Sequence, residues 1–173
     1  DNDTIFGGDG NDGISVDGGL QNTAFGGAGD DTITSTGLTD TLSGDDGNDT
    51  IFSSAGDNDV MIGGDGNDLL ITGDGVSLLG VNDSFDGGEG YMDLIMFNTA
   101  PVDVATHLPL QINDWLDLDN GFTFEVHGNE IWLVATAGGD PVDASGTISF
   151  DDGSGNPVTE LHFENVEKII IGP

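Results

Sequence analysis

The sequence predicts an all-β chain: a right-handed parallel β-roll over residues 1–97, followed by a β-rich C-terminal cap over residues 98–173. Three observations predict it. The first part repeats itself every nine residues, as Gly7-Gly8-Asp9-Gly10-Asn11-Asp12-Gly13-Ile14-Ser15, GGAGDDTIT from Gly26 and GGDGNDLLI from Gly63 show. Within each copy, paired glycines precede a short segment in which a large apolar residue alternates with polar ones. Composition then changes abruptly: residues 1–97 hold 22 of the 30 glycines and no Pro, Lys or Arg, whereas all five prolines, both tryptophans, all three histidines and Lys168 lie beyond.

Each nonapeptide reads as a six-residue turn and a three-residue strand. Paired glycines accept the positive φ of a tight turn, and alternation of apolar and polar residues is the strand period. Two such units make one coil, and stacked coils bury a continuous core that no single repeat can bury alone. Ile5, Ile14, Phe25, Ile33, Leu42, Ile51, Leu70, Phe85 and Ile95 are then expected inward, with Thr4, Thr32, Thr41 and Thr50 outward. Beyond residue 100 the pattern is that of antiparallel hairpins: FTFEVH, a turn at Gly128-Asn129 and EIWLVAT, then TISF and VTELHF, with Ile169 to Ile171 as a last strand. An open solenoid end needs covering, and Trp132 is expected to supply apolar area for it.

Charge narrows the function. One basic residue against 33 acidic ones gives a net charge of −32, which repels nucleic acid and anionic membranes, and no apolar run is long enough to span a bilayer. Without cysteine there are no disulfides, thiolate metal sites or thiol nucleophiles. His107, His127 and His162 are the only imidazoles, and no nucleophile elbow, zinc-protease helix or phosphate loop is present, so no enzyme is expected. Asp140-Pro141 reads as a turn after Gly138-Gly139.

The carboxylates that exclude those partners suit a cation. Calcium takes six to eight hard oxygen ligands, which glycine-rich turn carbonyls and an inward Asp supply; magnesium is stricter in geometry, and zinc prefers His and Cys. One turn gives half a shell, so ions are expected between turns two repeats apart. One flank carries turns ending at Asp12, Asp31, Asp49, Asp68 and Asp93, whose starts lie 19, 18, 19 and 24 residues apart, and its four gaps predict about four calcium ions. Tyr91-Met92 lengthen the last of these turns. The other flank carries Asp3, Asp40, Asp59 and Asp83 as weaker candidates, with Thr23 of GGLQNT expected where a ligand Asp would stand.

GGDGNDGIS, GGAGDDTIT and GGDGNDLLI resemble the repeats-in-toxin (RTX) hemolysin-type calcium-binding family over residues 1–97. The resemblance implies that the position-six carboxylates Asp12, Asp31, Asp49, Asp68 and Asp93 bind calcium. It implies the same of turn carbonyls, taken at Gly7, Asp9, Gly26, Ala28, Gly44, Asp46, Gly63, Asp65, Gly87 and Glu89. It also implies export by a type I secretion system in the unfolded state, folding on extracellular calcium, and a secreted or cell-surface location. The chain reads as part of a longer protein whose upstream and downstream domains are its partners. Residues 146–171 resemble, more weakly, a segment that closes such repeat blocks. A surface-binding adhesin segment and an accessory module of a secreted enzyme are the alternatives; the turn positions lack the threonine ranks of ice-binding rolls.

Overall fold

Strands only four to seven residues long, separated by glycine turns, leave the repeat region one way to bury its alternating apolar residues: coil upon coil, each strand pairing in parallel with its equivalent one turn on. The computed structural model describes residues 2–53, 58–72, 83–90, 92–97, 116–119, 121–136, 142–151 and 157–171. Ten strands form the repeat region: β1 (Thr4–Asp9), β2 (Gly13–Val16), β3 (Thr23–Ala28), β4 (Thr32–Ser35), β5 (Thr41–Asp46), β6 (Thr50–Ser53), β7 (Val60–Asp65), β8 (Leu69–Thr72), β9 (Asp83–Glu89) and β10 (Leu94–Phe97). Six more follow: β11 (Leu116–Leu118), β12 (Phe122–His127), β13 (Glu130–Ala135), β14 (Ala144–Asp151), β15 (Pro157–Val166) and β16 (Lys168–Ile171).

Odd and even strands of the repeats separate into two sheets, as two units per coil require. One runs β1-β3-β5-β7-β9-β15-β14-β11 and the other β12-β13-β16-β10-β8-β6-β4-β2. All pairings from β1 to β10 are parallel. The expected hairpins are present: β12 with β13 around Gly128-Asn129, and β14 with β15, both antiparallel.

Residues 157–171 do more than form a hairpin. Leu161 to Glu164 of β15 pair in parallel with Asp83 to Asp86 of β9, and β16 pairs in parallel with β10. Residues 161–171 therefore form a sixth coil without glycines, adding to each sheet a strand from beyond residue 98.

The core is two facing columns. Ala24, Leu42, Met61, Phe85 and Phe163 align in one sheet, and Ile14, Ile33, Ile51, Leu70, Ile95, Ile169 and Ile131 in the other, all buried. Two expectations fail here. Phe25 is not inward: Ala24 takes the core position, in register with Ile5 and Leu42, and Phe25 lies outside, stacked on Phe6 with ring centroids 5.1 Å apart. Trp132 does not cover the core either; Ile131 and Leu133 on the same strand are the buried residues, while the indole stacks on His127 at 4.1 Å beneath the Lys168 ammonium. Strand alternation forces both outcomes, since residues next to a core position must face away from it. Trp115, His107 and Asp140-Pro141 lie outside the described residues.

Truncating a column residue leaves a cavity the narrow core cannot close. Leu42→Ala should cost about 2–5 kcal/mol, whereas Phe25→Ala loses only an outer aromatic pair worth about 0.5–1.5 kcal/mol. Denaturant unfolding of both variants checks this; a larger loss for Phe25→Ala would mean that the β3 register is wrong.

Candidate metal centre

The chain carries its carboxylates on the two edges where strands hand over to turns, just before each strand begins. Asp12, Asp31, Asp49, Asp68 and Asp93 precede the even strands β2 to β10 and stack on one flank. One oxygen of the last four caps the previous coil: the amides of Asp12, Asp31, Asp49 and Asp68 donate to Oδ1 of Asp31, Asp49, Asp68 and Asp93 at 2.7, 2.7, 2.7 and 2.8 Å. The other oxygen is orphaned. Oδ2 of all five is shut from solvent and has no hydrogen-bond partner.

A buried unsatisfied polar group costs about 1–3 kcal/mol and more if charged, so five of them rival the roughly 5–15 kcal/mol of net stability that a domain possesses. A cation beside these oxygens would offset that cost. Lys168, the sole Lys or Arg, is engaged elsewhere, 3.6 Å from Glu130 Oε2 and over the Trp132 ring.

The position-one glycines show where the oxygens point. A methyl group added to Gly26 would lie 2.3 Å from Asp31 Oδ2 and 2.6 Å from the Gly44 carbonyl oxygen; at Gly44 it would lie 2.2 Å from Asp49 Oδ2 and 2.6 Å from the Gly63 oxygen. Gly7 and Gly63 repeat the arrangement with Asp12 and Gly26, and with Asp68 and Gly87. Each level thus gathers a carboxylate oxygen and a carbonyl oxygen from the next coil beside a glycine that leaves room for them. Among the described residues no three acidic or imidazole side chains converge, so a cation here relies on backbone carbonyls, the hard donors calcium accepts. The donor set and the cradle fit calcium.

The position-three residues Asp9, Asp46, Asp65 and Glu89 turn their side chains to solvent. Ala28, Asp46, Asp65 and Glu89 contribute carbonyls, which accept the amides of Gly10, Gly29, Gly47 and Gly66 at 2.6–2.8 Å. At position five, the exposed Asn11, Asp30, Asn48 and Asn67 form a second ladder, in which the side chains of Asn11, Asp30 and Asn48 accept the amides of Asp30, Asn48 and Asn67 at 3.0–3.1 Å. The two hydrogen bonds from Asn48 hold the Asp30 carboxyl below its usual range.

The opposite flank has the same Oδ1 ladder and a different ending. Asp3, Asn22, Asp40 and Asp59 donate their amides to Asn22, Asp40, Asp59 and Asp83 at 2.7–3.1 Å. Asn22, not Thr23, therefore holds the ligand position of its turn; Thr23 begins β3, in register with Thr4 and Thr41. That one-residue offset is the same one that exchanges Phe25 for Ala24. Here the second oxygens are satisfied by the chain itself: Ser35 Oγ donates to Asp40 Oδ2, and Ser53 Oγ to Asp59 Oδ2 at 2.8 Å. Asn22 carries no charge, and its Nδ2 donates to the Gly18 carbonyl at 2.7 Å. The turn residues 54–57 and 73–82 of this flank, like Tyr91 on the other, lie outside the described residues.

The RTX calcium-binding nonapeptide repeat model matches in four copies, at residues 1–20, 17–37, 34–60 and 55–76. Residues 1–76 belong to the RTX calcium-binding repeat family. No curated protein and no solved structure gives a match to the chain. The matched segment holds four of the five orphaned carboxylates; Asp93 and the sixth coil lie beyond it.

Burial pushes Asp49, Asp59 and Asp93 up to about 6 and Asp68 up to about 7, against the hydrogen bond each accepts from the preceding coil's amide. A carboxylate raised above its unfolded value of 3.8 favours the folded state below that value and loses this contribution as pH rises through the folded one. The metal-free RTX roll should therefore be more stable at about pH 4 than above pH 7, with the loss spread over that window. Circular dichroism in chelator across this range checks it, and a metal-free fold that strengthens toward neutral pH contradicts it.

The flanks should also respond differently to substitution. Asp49→Ala removes an orphaned oxygen and should raise the calcium concentration needed for folding several-fold; Asp40→Ala removes hydrogen bonds only, and should lower stability with little change in the number of ions bound. Calorimetric calcium titration of both variants decides, and equal losses of bound calcium would contradict the assignment of flanks.

Proposed function

We propose that this chain is a non-catalytic, calcium-driven folding module of a larger extracellular protein, exported unfolded by a type I secretion system and serving afterwards as a rigid spacer. The observation that carries the reading is the file of five orphaned carboxylate oxygens on one flank, each beside a carbonyl of the next coil. A chain that must bury these oxygens resists folding until a cation arrives, so the free energy of binding is also free energy of folding. At low calcium such a chain stays extended and passes a narrow export channel; at extracellular calcium the file fills and the coils close.

Asp12, Asp31, Asp49, Asp68 and Asp93, with carbonyls of the position-one and position-three residues, would hold the ions. The second flank, where Ser35 and Ser53 satisfy Asp40 and Asp59 and Asn22 carries no charge, would hold few or none. Spacer behaviour fits the two continuous sheets, which give the coils one axis without a hinge among the described residues.

The chain in chelator at neutral pH should show a largely disordered far-ultraviolet circular dichroism spectrum, and should gain β structure cooperatively on adding calcium at roughly 10⁻⁴–10⁻³ M, as in extracellular modules. Magnesium at the same concentration should not substitute. A cooperative native fold in chelator at neutral pH would overturn the reading.

A further inference from the structure

The file of orphaned oxygens contains one member more than a count of glycine turns provides. Five turns enclose four gaps, yet Asp93, at the last turn, has the same buried, unpartnered Oδ2 as the four before it. Its oxygen does not point back into the fourth gap. It points onward, toward residues 161–171.

Those residues complete the level as a repeat would. The Asp93 amide donates to Glu167 Oε2, as each earlier position-six amide donates to the next carboxylate. Lys168 donates its amide to the Asp93 carbonyl at 3.3 Å, the equivalent of Leu94 to Asp68 at 2.8 Å. A methyl group added at Gly87 would lie 2.0 Å from the Asn165 carbonyl oxygen and 2.8 Å from Asp93 Oδ2, as one at Gly63 would lie 2.4 Å from the Gly87 oxygen and 2.3 Å from Asp68 Oδ2. Asn165 thus stands where each earlier level has a position-one glycine. It takes a positive φ of 54°, which asparagine tolerates, and its Nδ2 ties to Asp86 Oδ1 at 2.6 Å.

We propose that the gap between the fifth coil and residues 161–171 is a fifth cation site, built from Asp93 Oδ2 and the Asn165 carbonyl, and that calcium bound there fastens the C-terminal coil to the roll. The inference rests on the calcium reading above and extends it to a segment that carries no repeat motif and lies outside the family match. Among the described residues no cationic side chain meets this oxygen: Lys168 is engaged with Glu130 and Trp132. Docking Glu167 against Asp93 spans 74 residues of chain, and closing so long a loop needs a compensating interaction on arrival. A divalent cation between the two coils provides one.

Crystals of the full chain grown in calcium, measured for anomalous scattering, test the site without any substitution. Density is expected in five gaps, the last between Asp93 and Asn165. Density in the other four with none in the last overturns the proposal and leaves the calcium reading intact; no density in any gap overturns both. In solution, Asp93→Asn should bind one ion fewer by native mass spectrometry and lose at least about tenfold of the hydrogen-exchange protection at Lys168–Ile171, while Thr32–Ser35 stays protected. Asp12→Asn, at the far end of the file, should lose an ion yet keep Lys168–Ile171 protected. An Asp93→Asn chain with an unchanged ion count, or with undiminished protection of β16, overturns the proposal.

Discussion

A carboxylate with one oxygen hydrogen-bonded and the other stranded is the constraint on which the roll depends. It recurs on one flank in Asp31, Asp49, Asp68 and Asp93, with Asp12 sharing the stranded oxygen, and the surrounding sequence follows from it. The position-one glycines are needed because a side chain there would meet the stranded oxygen and the next carbonyl at 2.0–2.8 Å. The turns stay short because the carboxylate must reach the amide of the coil before it. The core is narrow because strands of four or five paired residues hold little more than one inward side chain each, so hydrophobic burial alone is small.

The two oxygens of each Asp have separable roles. Oδ1 sets register: an amide bond at about 2.7 Å fixes which residue of one coil sits over which of the next, and it is present on both flanks. Oδ2 sets the condition for stability, and there the flanks part. On one it waits for a cation; on the other Ser35 and Ser53 donate hydroxyls, and Asn22 replaces the charge altogether. A roll built with hydroxyls on both flanks would fold without metal, and one with orphans on both would carry twice the electrostatic cost. This chain has one edge on which Asp40 and Asp59 are satisfied by hydroxyls and a second on which five Oδ2 atoms have no hydrogen-bond partner.

Most of this was legible in the sequence because the motif is spaced by physics: glycine where φ is positive, Asp at the handover, an apolar residue two positions later. The failures came where spacing ceased to be informative. In the second flank, Gln21-Asn22-Thr23 offers two polar residues for one ligand position, and the alignment on Thr23 carried Phe25 into the core by a single step; the strand rank Thr4, Thr23, Thr41 is the signal that resolves it. The orphaned oxygens themselves were not readable, since an Asp satisfied by serine and one left for a cation look alike until Ser35 and Ser53 are placed beside their partners. The sixth coil was hidden for a plainer reason. Its turn, Asn165-Val166-Glu167, has no glycine, its carboxylate is one methylene longer, and strands of opposite sense intervene in the sequence.

Those intervening strands explain how the stack ends. A parallel solenoid presents at its last coil the same unpaired edge that it presents at every other, and such an edge invites further strands. Here β14 and β11 add to one sheet and β13 and β12 to the other, all by antiparallel pairing, so the outermost strands no longer offer the parallel template that another coil would match. The file of carboxylates ends at the same level. Burial, and after it a hydrogen bond shared with Asp143, raise Glu167 to about 8, so the last carboxyl of the file resists ionising. The change from parallel to antiparallel pairing and the last carboxyl of the file thus fall within the same few residues.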